Sequence, residues 1–383
     1  MKRRENKRMT FANPSFGTTS ESNRINGLQQ SVSEPEFGNA TIKKRIKQAL
    51  LVVGVIILVA LGVFGWEFYS AAANLTGQHN PIKLFQKLFP QSLAETRGRV
   101  NILLAGYSVG DPNHPGAQLT DSIMIVSINP KNKTGTIISV PRDMWVNIPG
   151  YGYNKINAAY EYGQVNHFNE QGYFPGGMGL LERVVSHDFG ANFNYYALIN
   201  YAAFKDAVNA VGGINITIHS SDPRGIYDAY TNLKLANGKV TLNGQEALNL
   251  ARARGDTAAG DISYGLPNSD FTRTRHQQQM LVALKDKASQ LSSLIDPLTI
   301  IRLVKSVGDN VKTDLNIGQM ETLYNDTKAI SNNNIKQVTI NNYNGNNLLS
   351  NYYVDGQDAL VPAAGTYDYS QIKNAVNTLL YGP

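Results

Sequence analysis

The stretch LTDSIMIVSINPKNKTGTIISVPRDMWVNIPGYGYNKINAAY, residues 119–160, decides the fold. Two runs of β-branched and aliphatic residues, 122–129 and 136–140, flank a Pro-Lys-Asn-Lys turn, and this pattern predicts two adjacent strands. Apolar residues fill nearly every position of both runs, which is typical of a sheet covered on both faces. The predicted fold class is therefore α/β.

Charged residues stand only at the ends of these two strands. Asp121 opens the first strand, Arg142 and Asp143 follow the second, and Lys155 comes shortly after them. Strand ends at one edge of an open α/β sheet are where ligand-binding groups collect. Each of these charged residues, taken alone, is as consistent with an ordinary capping role as with ligand binding. Their combination with a second basic group indicates an anion site; that group is Arg252, Arg254, Arg273 and Arg275.

The run ALLVVGVIILVALGVFGW, residues 49–66, carries no charge. At about 1.5 Å per residue it spans roughly 27 Å, close to the hydrocarbon thickness of a bilayer. Basic residues crowd positions 43–47, and Tyr69 follows at an interfacial position. The positive-inside rule therefore places the N-terminus in the cytoplasm and the chain after about residue 70 outside the cell. A cleaved signal peptide is the alternative, disfavoured by the long preceding segment.

The basic charge of the chain belongs to its N-terminal tail. Residues 1–48 hold ten Lys or Arg and four Glu, a net of +6, which equals the net charge of the whole protein. The remainder is near neutral, so the sequence pI of about 9.2 is not a nucleic-acid signature and no nucleic-acid partner is expected. The chain has no cysteine, which excludes disulfides and thiolate metal sites.

Residues after the membrane segment alternate between strand-like and helical patterns. Strands are predicted at 100–106 and 214–218, and a continuous helix at 196–211. Another helix, 243–251, leads directly to Arg252 and Arg254. The predicted organisation is a disordered basic tail, a transmembrane helix, a juxtamembrane spacer, a catalytic domain and a C-terminal extension packed on that domain; their bounds are 1–48, 49–69, 70–97, 98–310 and 311–383.

A further helix begins at Ser269 or Asp270. Arg273 and Gln277 are four residues apart, so they share one face at its N-terminus. The N-terminus of this helix also offers free backbone N–H groups and the positive end of the helix dipole. Together these groups favour the binding of a phosphate.

The ordered motifs NILLAG, LTDSIMIVSINPK, ISVPRD, KINAAY, VGGI, LNGQEALNLARAR and SDFTRTRHQQQ, together with one membrane segment, resemble the LytR-CpsA-Psr family of cell-wall polymer ligases. The resemblance covers roughly residues 98–310. It implies a three-layer α/β/α sandwich with a mixed central sheet, preceded by one transmembrane helix. It also implies transfer of a glycopolymer from a polyprenyl-pyrophosphate carrier to peptidoglycan through a phosphodiester.

The same resemblance implies roles for individual residues. Asp121 is expected to associate with Mg²⁺, with Mn²⁺ as a substitute. Asp121 or Asp143 is expected to orient or deprotonate the acceptor hydroxyl, a choice that the sequence leaves open. The catalytic set is Asp121, Arg142, Asp143, Arg252 and Arg254; the pyrophosphate-binding set is Arg142, Lys155, Arg252, Arg254, Arg273, Arg275 and Gln277.

The chain departs from the family pattern at three places. Ser108 stands where the family usually has Asp, Leu119 where it commonly has Arg, and His276 where Arg often precedes the Gln pair. The expected metal set is therefore Asp121, Ser108 and Asp111. Asp111 or His114, in the loop after the first strand, is expected to compensate for the missing carboxylate.

Two other functions use the same features. A membrane-bound pyrophosphatase would employ these arginines but admit water in place of a sugar hydroxyl. A non-catalytic module would bind anionic polymer or lipid without turnover, which the departures at Ser108 and Leu119 would suit.

Overall fold

The computed structural model describes residues 91–107, 118–256, 262–267, 269–291 and 310–382. The predicted tail, the membrane segment 49–69 and most of the spacer lie outside these ranges. Ser108, Asp111 and His114 also lie outside them. Within the described ranges, no helix combines the length and the apolar character needed to cross a bilayer.

A mixed six-stranded sheet forms the centre of the fold. Its order is β11-β6-β1-β2-β3-β12. Strand β1 pairs antiparallel with β2 and parallel with β6, while β12 pairs parallel with β3. The six strands are β1 (Val100–Tyr107), β2 (Thr120–Asn129), β3 (Thr134–Val140), β6 (Tyr195–Asn200), β11 (Val311–Thr313) and β12 (Ile335–Thr339).

Five two-stranded sheets surround it. Four of their five pairings, β4-β5, β8-β9, β13-β14 and β15-β16, join strands that are consecutive in the chain, and the fifth is β7-β10. The ten strands are β4 (Trp145–Ile148), β5 (Gly152–Lys155), β7 (Ile214–Ile218), β8 (Ile226–Asp228), β9 (Leu233–Leu235), β10 (Gly238–Leu242), β13 (Asn342–Tyr343), β14 (Asn346–Asn347), β15 (Leu349–Val354) and β16 (Gln357–Pro362).

Seven α-helices occur in the described part of the chain. They are α1 (Ala159–Val165), α2 (Gly176–Phe189), α3 (Tyr201–Ala210), α4 (Gly244–Arg252), α5 (Ser269–Leu291), α6 (Ile317–Lys328) and α7 (Ser370–Tyr381).

Helices cover both faces of the central sheet. On one face, Leu103, Ile125 and Ile138 pack with buried residues of α2 and α7. On the other face, Met124 and Ile137 contact Val282 of α5, and buried residues of β1 pack with α6. A second core joins α3, α4 and α5 to the β7–β10 pair. Successive side chains of a strand point to opposite faces of the sheet. Because helices cover both faces here, most residues of the two predicted strands are buried, and both strands are nearly continuous in apolar residues.

The predicted helix over 196–211 is wrong in its first part. Residues Tyr195–Asn200 form β6, and the helix α3 starts only at Tyr201. The side chain of Asn200 caps α3 by accepting a hydrogen bond from the backbone N–H of Ala203, at 2.8 Å. The apolar run before Asn200 is instead hydrogen-bonded to β1, because that strand has an open edge in the sheet.

Candidate functional site

A cavity of about 370 Å³ opens at one edge of the central sheet. Because β1 and β3 both run antiparallel to β2, the end of β1, the start of β2 and the end of β3 meet there. The start of α3, the end of α4 and one face of α5 complete the wall. Sequence-distant segments are thus brought to a single edge, as the charge pattern at the strand ends predicts.

Four arginines line this cavity: Arg142, Arg252, Arg254 and Arg273. Arg142 follows β3, and Arg252 is the last residue of α4. Asn243 caps α4 with a complete capping box, in which Glu246 accepts from the Asn243 backbone N–H at 2.9 Å. The capping box stabilises the N-terminal end of the helix that ends at Arg252.

Arg142 is held by acidic residues on two sides. Its Nη1 donates to Asp121 at the start of β2, and its Nε lies 3.6 Å from Asp143 Oδ2. Lys155 Nζ lies 3.1 Å from Asp143 Oδ1. Burial on its own lowers the pKa of Arg142, but the carboxylates of Asp121, Asp143 and Asp270 raise it above its ordinary value. The guanidinium therefore stays charged although its side chain is only 16% exposed.

Asp270, in the first turn of α5, lies at the centre of three arginines. Its Oδ1 is 2.7 Å from Arg273 Nη2, 3.6 Å from Arg254 Nε and 3.7 Å from Arg142 Nε. Arg273 is buried, and burial lowers its pKa although Asp270 opposes this. Asp270 thus keeps three like charges close together, which without a counter-charge would repel one another.

Asp228 fixes the backbone that carries Arg254. It is 1% exposed at the end of β8, and its Oδ1 accepts from the backbone N–H groups of Arg254 and Gly255, at 3.0 and 2.8 Å. Its Oδ2 accepts from the backbone and hydroxyl of Thr231. Gly255 has φ +81°, a conformation that suits glycine and turns both N–H groups toward one carboxylate.

Arg252 lies against aromatic rings at the cavity rim. Its guanidinium carbon is 5.2 Å from the centroid of the Tyr201 ring and 5.8 Å from that of Tyr230. Such cation–π contacts orient the arginine at the cavity. Gln277 lies on the α5 face of the cavity, and its amide donates to the carbonyl of Ala251 at 2.9 Å.

The cavity wall also carries a group of apolar side chains. These residues come from the sheet, α3, α4 and α5; they are Leu104, Met124, Phe204, Leu248, Met280, Leu281 and Leu284. A single cavity thus joins a cluster of guanidiniums to a hydrocarbon-like wall. This arrangement fits a ligand that is anionic at one end and apolar at the other.

The structure brings together most of the residues predicted from sequence. Those that line the cavity are Asp121, Arg142, Arg252, Arg254, Arg273 and Gln277. Asp143 and Lys155 lie beside it, joined through Arg142. Arg275 is exposed and is not part of the cavity lining. Its spacing of two residues from Arg273 places it on another side of α5.

Sequence reasoning missed several residues that shape the site. Asp228, Asn200, Tyr201 and Tyr230 all line the cavity. Asp228 lies in a polar stretch of the chain, and its partner Arg254 is 26 residues further on. Asp270 was recognised only as a candidate helix cap. Asn200 is the exception, because an Asn directly before a helical pattern indicates a helix N-cap. That signal could have placed Asn200 at the sheet edge where the cavity lies.

A hard divalent cation such as Mg²⁺ needs oxygen donors. Among the described residues, no group of three or more His, Asp or Glu is arranged to hold a metal ion. Asp121 and Asp256 nevertheless place carboxylates in the cavity lining beside the arginines. Mg²⁺ commonly takes one or two protein carboxylates and completes its shell with phosphate oxygens and water. The residues present therefore fit Mg²⁺ bound together with a phosphorylated ligand.

A mixed α/β sheet with guanidiniums and an apolar wall at one edge defines an α/β protein that holds an anionic, partly apolar ligand. The chain belongs to the LytR_cpsA_psr family, whose profile matches residues 63–371. This establishes the family from a match that covers most of the protein.

Named relatives agree with this assignment. A polyisoprenyl-teichoic acid–peptidoglycan teichoic acid transferase TagU from Oceanobacillus iheyensis is 29% identical over 299 residues, covering 76% of this chain and 84% of that protein. The TagU of Bacillus subtilis is 26% identical over 295 residues, covering 76% and 85%.

Solved structures share the fold. B. subtilis TagV matches with a TM-score of 0.54 at 23% identity, over 75% of this chain and 98% of that one. The family protein YwtF (TagT) with bound octaprenyl pyrophosphate lipid matches with a TM-score of 0.51 at 21% identity, over 76% and 94%.

Proposed function

We propose that this protein is a phosphotransferase that moves a glycopolymer from a polyprenyl-pyrophosphate carrier to peptidoglycan. The observation that carries the proposal is that four arginines and a group of apolar side chains line the same cavity. A polyprenyl pyrophosphate likewise combines a charged group with a hydrocarbon chain. Relatives named as teichoic acid transferases, and a related structure with octaprenyl pyrophosphate, support this choice of ligand.

The arginines bind the two phosphates and stabilise charge on the leaving group. Guanidiniums pair with phosphate oxygens through two parallel N–H groups, and they act most strongly where water is excluded. Arg273 is buried, and Arg142 and Arg254 lie beside it around one carboxylate. Because these side chains are held before the ligand binds, little reorganisation is needed when charge develops.

The reaction exchanges one phosphorus–oxygen bond for another. An acceptor hydroxyl of peptidoglycan attacks the phosphorus that bears the glycopolymer, and the bond from this phosphorus to the bridging oxygen breaks. Polyprenyl phosphate leaves, and the hydroxyl proton passes to a carboxylate. Asp121 lines the cavity whereas Asp143 does not, so we assign the proton-accepting role to Asp121.

Asp121, with Asp256 nearby in the lining, would hold Mg²⁺ or Mn²⁺ against the phosphates. A bound cation would supply further neutralisation of the pyrophosphate. It would also offset repulsion between the phosphates and these two carboxylates.

The remaining features extend the proposal to the whole chain. The uncharged run 49–66, with basic residues before it, supports one membrane-spanning helix with the N-terminus in the cytoplasm. The catalytic domain would then lie outside the cell, where peptidoglycan is available. Helices on both faces of the mixed sheet support a three-layer α/β/α sandwich.

The test uses the full-length protein in detergent, a polyprenyl-pyrophosphoryl oligosaccharide and peptidoglycan, with and without Mg²⁺. Wild type is compared with Arg254→Ala and with Arg183→Ala, an arginine of α2 that pairs with Glu170. We expect acceptor-dependent transfer that Arg254→Ala loses by at least a hundredfold and Arg183→Ala retains. Carrier cleavage without labelled acceptor would identify a pyrophosphatase instead, and bound but unreacted carrier would identify a non-catalytic module.

A further inference from the structure

A second cavity, of about 750 Å³, lies at the opposite edge of the central sheet. The end of β2 and the starts of β3 and β12 form its floor, and the end of α7 forms one side. We refer to it as the distal cleft. Asp121 and Asn129 mark the two ends of β2, eight residues apart, so the distal cleft lies about 26 Å from the catalytic cavity.

The lining of the distal cleft is polar and carries positive charge. Three cations line it, Arg97, Arg99 and Lys336, together with five asparagines and three threonines. None of its lining residues within the described chain is acidic. Two exposed lysines of the β2–β3 turn, Lys131 and Lys133, add to the positive charge near this edge. The distal cleft therefore attracts anions, and it differs from the catalytic cavity in having no lining carboxylate among the described residues to balance its cations.

Arg99 is the strongest indication of a ligand. The residue is 7% exposed, and its guanidinium donates only to neutral groups among the described residues. These are the hydroxyl and carbonyl of Ser127, at 2.6 and 3.1 Å, and the hydroxyl of Thr136, at 3.3 Å. Burial lowers the pKa of Arg99, and no carboxylate of the described residues forms an ion pair with it. A buried charge without a counter-ion is costly, and an anion in the cleft would relieve that cost.

Arg97 stands at the rim of the same cleft. Its guanidinium carbon is 4.9 Å from the centroid of the Tyr381 ring, and its Nη1 donates to Asn377 at 3.2 Å. These contacts hold an exposed arginine over the opening. Side-chain amides and hydroxyls nearby match a ligand with many hydroxyl groups, because each amide both donates and accepts hydrogen bonds. The concave shape also suits a chain better than a flat bilayer surface.

We propose that the distal cleft binds a segment of an anionic, hydroxyl-rich glycopolymer linked by phosphodiesters, remote from the end of the polymer that reacts. The choice of this ligand rests on the proposed function. The phosphodiester provides the counter-charge for Arg97, Arg99 and Lys336, and the amides bind the polyol or sugar hydroxyls. Because the cleft and the catalytic cavity lie at opposite edges of one sheet, both sites are available to a single long polymer.

The test measures binding of a fluorescent glycerol-phosphate oligomer to the full-length protein in neutral detergent. Polyprenyl diphosphate is present at saturation to occupy the catalytic cavity. The test variant is Arg97→Gln/Lys336→Gln, because Arg97 and Lys336 are exposed and their replacement leaves the core intact. The matched control is Arg183→Gln/Lys239→Gln, which removes the same charge at two places outside the cleft.

We expect the test variant to bind the oligomer at least tenfold more weakly, a change of about 1.4 kcal/mol, and the control to change less than twofold. An uncharged oligosaccharide of equal length should bind at least tenfold more weakly than the phosphorylated oligomer. Equal loss in both double variants would overturn the proposal. Binding to phosphatidylglycerol vesicles without binding to the soluble oligomer would overturn it in favour of a membrane contact.

A transfer assay on the same samples separates this proposal from the proposed function. Arg254→Ala should lose transfer and keep oligomer binding at the distal cleft. If Arg254→Ala also abolished oligomer binding, the oligomer would be held in the catalytic cavity and the distal cleft would be rejected. If wild type bound the oligomer without any transfer, the proposed function would fail while the distal cleft stood.

Discussion

Asp270 offers the sharpest test of how the catalytic cavity is assembled. Its carboxylate lies 2.7 Å from buried Arg273 and within 3.7 Å of Arg142 and Arg254. The substitution Asp270→Asn keeps the shape of the side chain and removes its charge. Three guanidiniums then face one another with less compensation, so we expect a less stable protein whose arginines are less well placed.

The magnitude follows from the burial of the two closest partners. Removing one partner of a fully buried ion pair costs roughly 3–5 kcal/mol. The Arg273 side chain is 6% exposed but that of Asp270 is 22% exposed. Water therefore recovers part of the loss, which leaves about 2–3 kcal/mol. For a domain of this size that corresponds to a fall of roughly 5–10 °C in Tm.

The assay is thermal unfolding of the full-length protein in detergent, with and without inorganic diphosphate. Diphosphate supplies the missing negative charge, so it should raise the Tm of Asp270→Asn more than that of wild type. Asp286→Asn, on the same helix and paired with Lys285, is the matched control and should shift stability by less than about 0.5 kcal/mol. Equal Tm values for Asp270→Asn and the control, with equal responses to diphosphate, would refute this account of the cavity.

Four other predictions rest on the described contacts. Asp228→Asn replaces one acceptor oxygen with an N–H donor facing N–H groups, so we expect at least a tenfold loss of transfer and a loss of about 2 kcal/mol in stability, measured by transfer assay and thermal unfolding. Burial, aided by Arg275, lowers the pKa of His276 to about 4, so stability should fall by up to about 3 kcal/mol as pH decreases from 6.5 to 4, and His276→Gln should flatten this slope in denaturant titrations. Burial raises the pKa of Glu182 to about 7, so its contribution has the opposite sign: stability is lost as pH rises from 4.5 to 7, and Glu182→Gln should lack that loss. Leu284→Trp fills part of the space beside the apolar wall, so binding of long-chain polyprenyl diphosphates should weaken at least tenfold while inorganic diphosphate binds as before, as calorimetry would show; equal weakening of both ligands would contradict this placement of the hydrocarbon chain.

The central strands were predictable because their pattern is local. The prediction of strands at 122–129 and 136–140 agrees with β2 and β3 to within two residues at each end. The capped helix before Arg252 was equally readable, because Asn243 and Glu246 form their capping box within one turn. Patterns of this kind depend on neighbours in the chain, so the order of the residues reveals them without a structure.

The failures share a physical cause. The run at 196–200 became a strand because it pairs with β1, a partner nearly a hundred residues away. Asp228 owes its role to the backbone N–H of Arg254, which reaches it only in the folded chain. The same holds for Asp270 and the guanidiniums of Arg142 and Arg254. Helical spacing places Arg275 and Arg273 on different sides of α5. The sequence does not show which of the two sides faces the cavity. A residue role that depends on tertiary contacts cannot be predicted from the local sequence pattern.

The pairing of β3 with β12 constrains the order of events during synthesis. Strand β3 is complete at Val140, yet the strand that covers its outer edge begins only at Ile335. Until residues 335–339 have been made, β3 presents unpaired backbone groups at an edge rich in apolar residues, which is a template for aggregation. The C-terminal α7 packs against α2, so the apolar face beneath it also waits for the end of the chain. A chain released from the ribosome just after Gln277 would therefore carry every proposed phosphate ligand but no finished sheet to hold them.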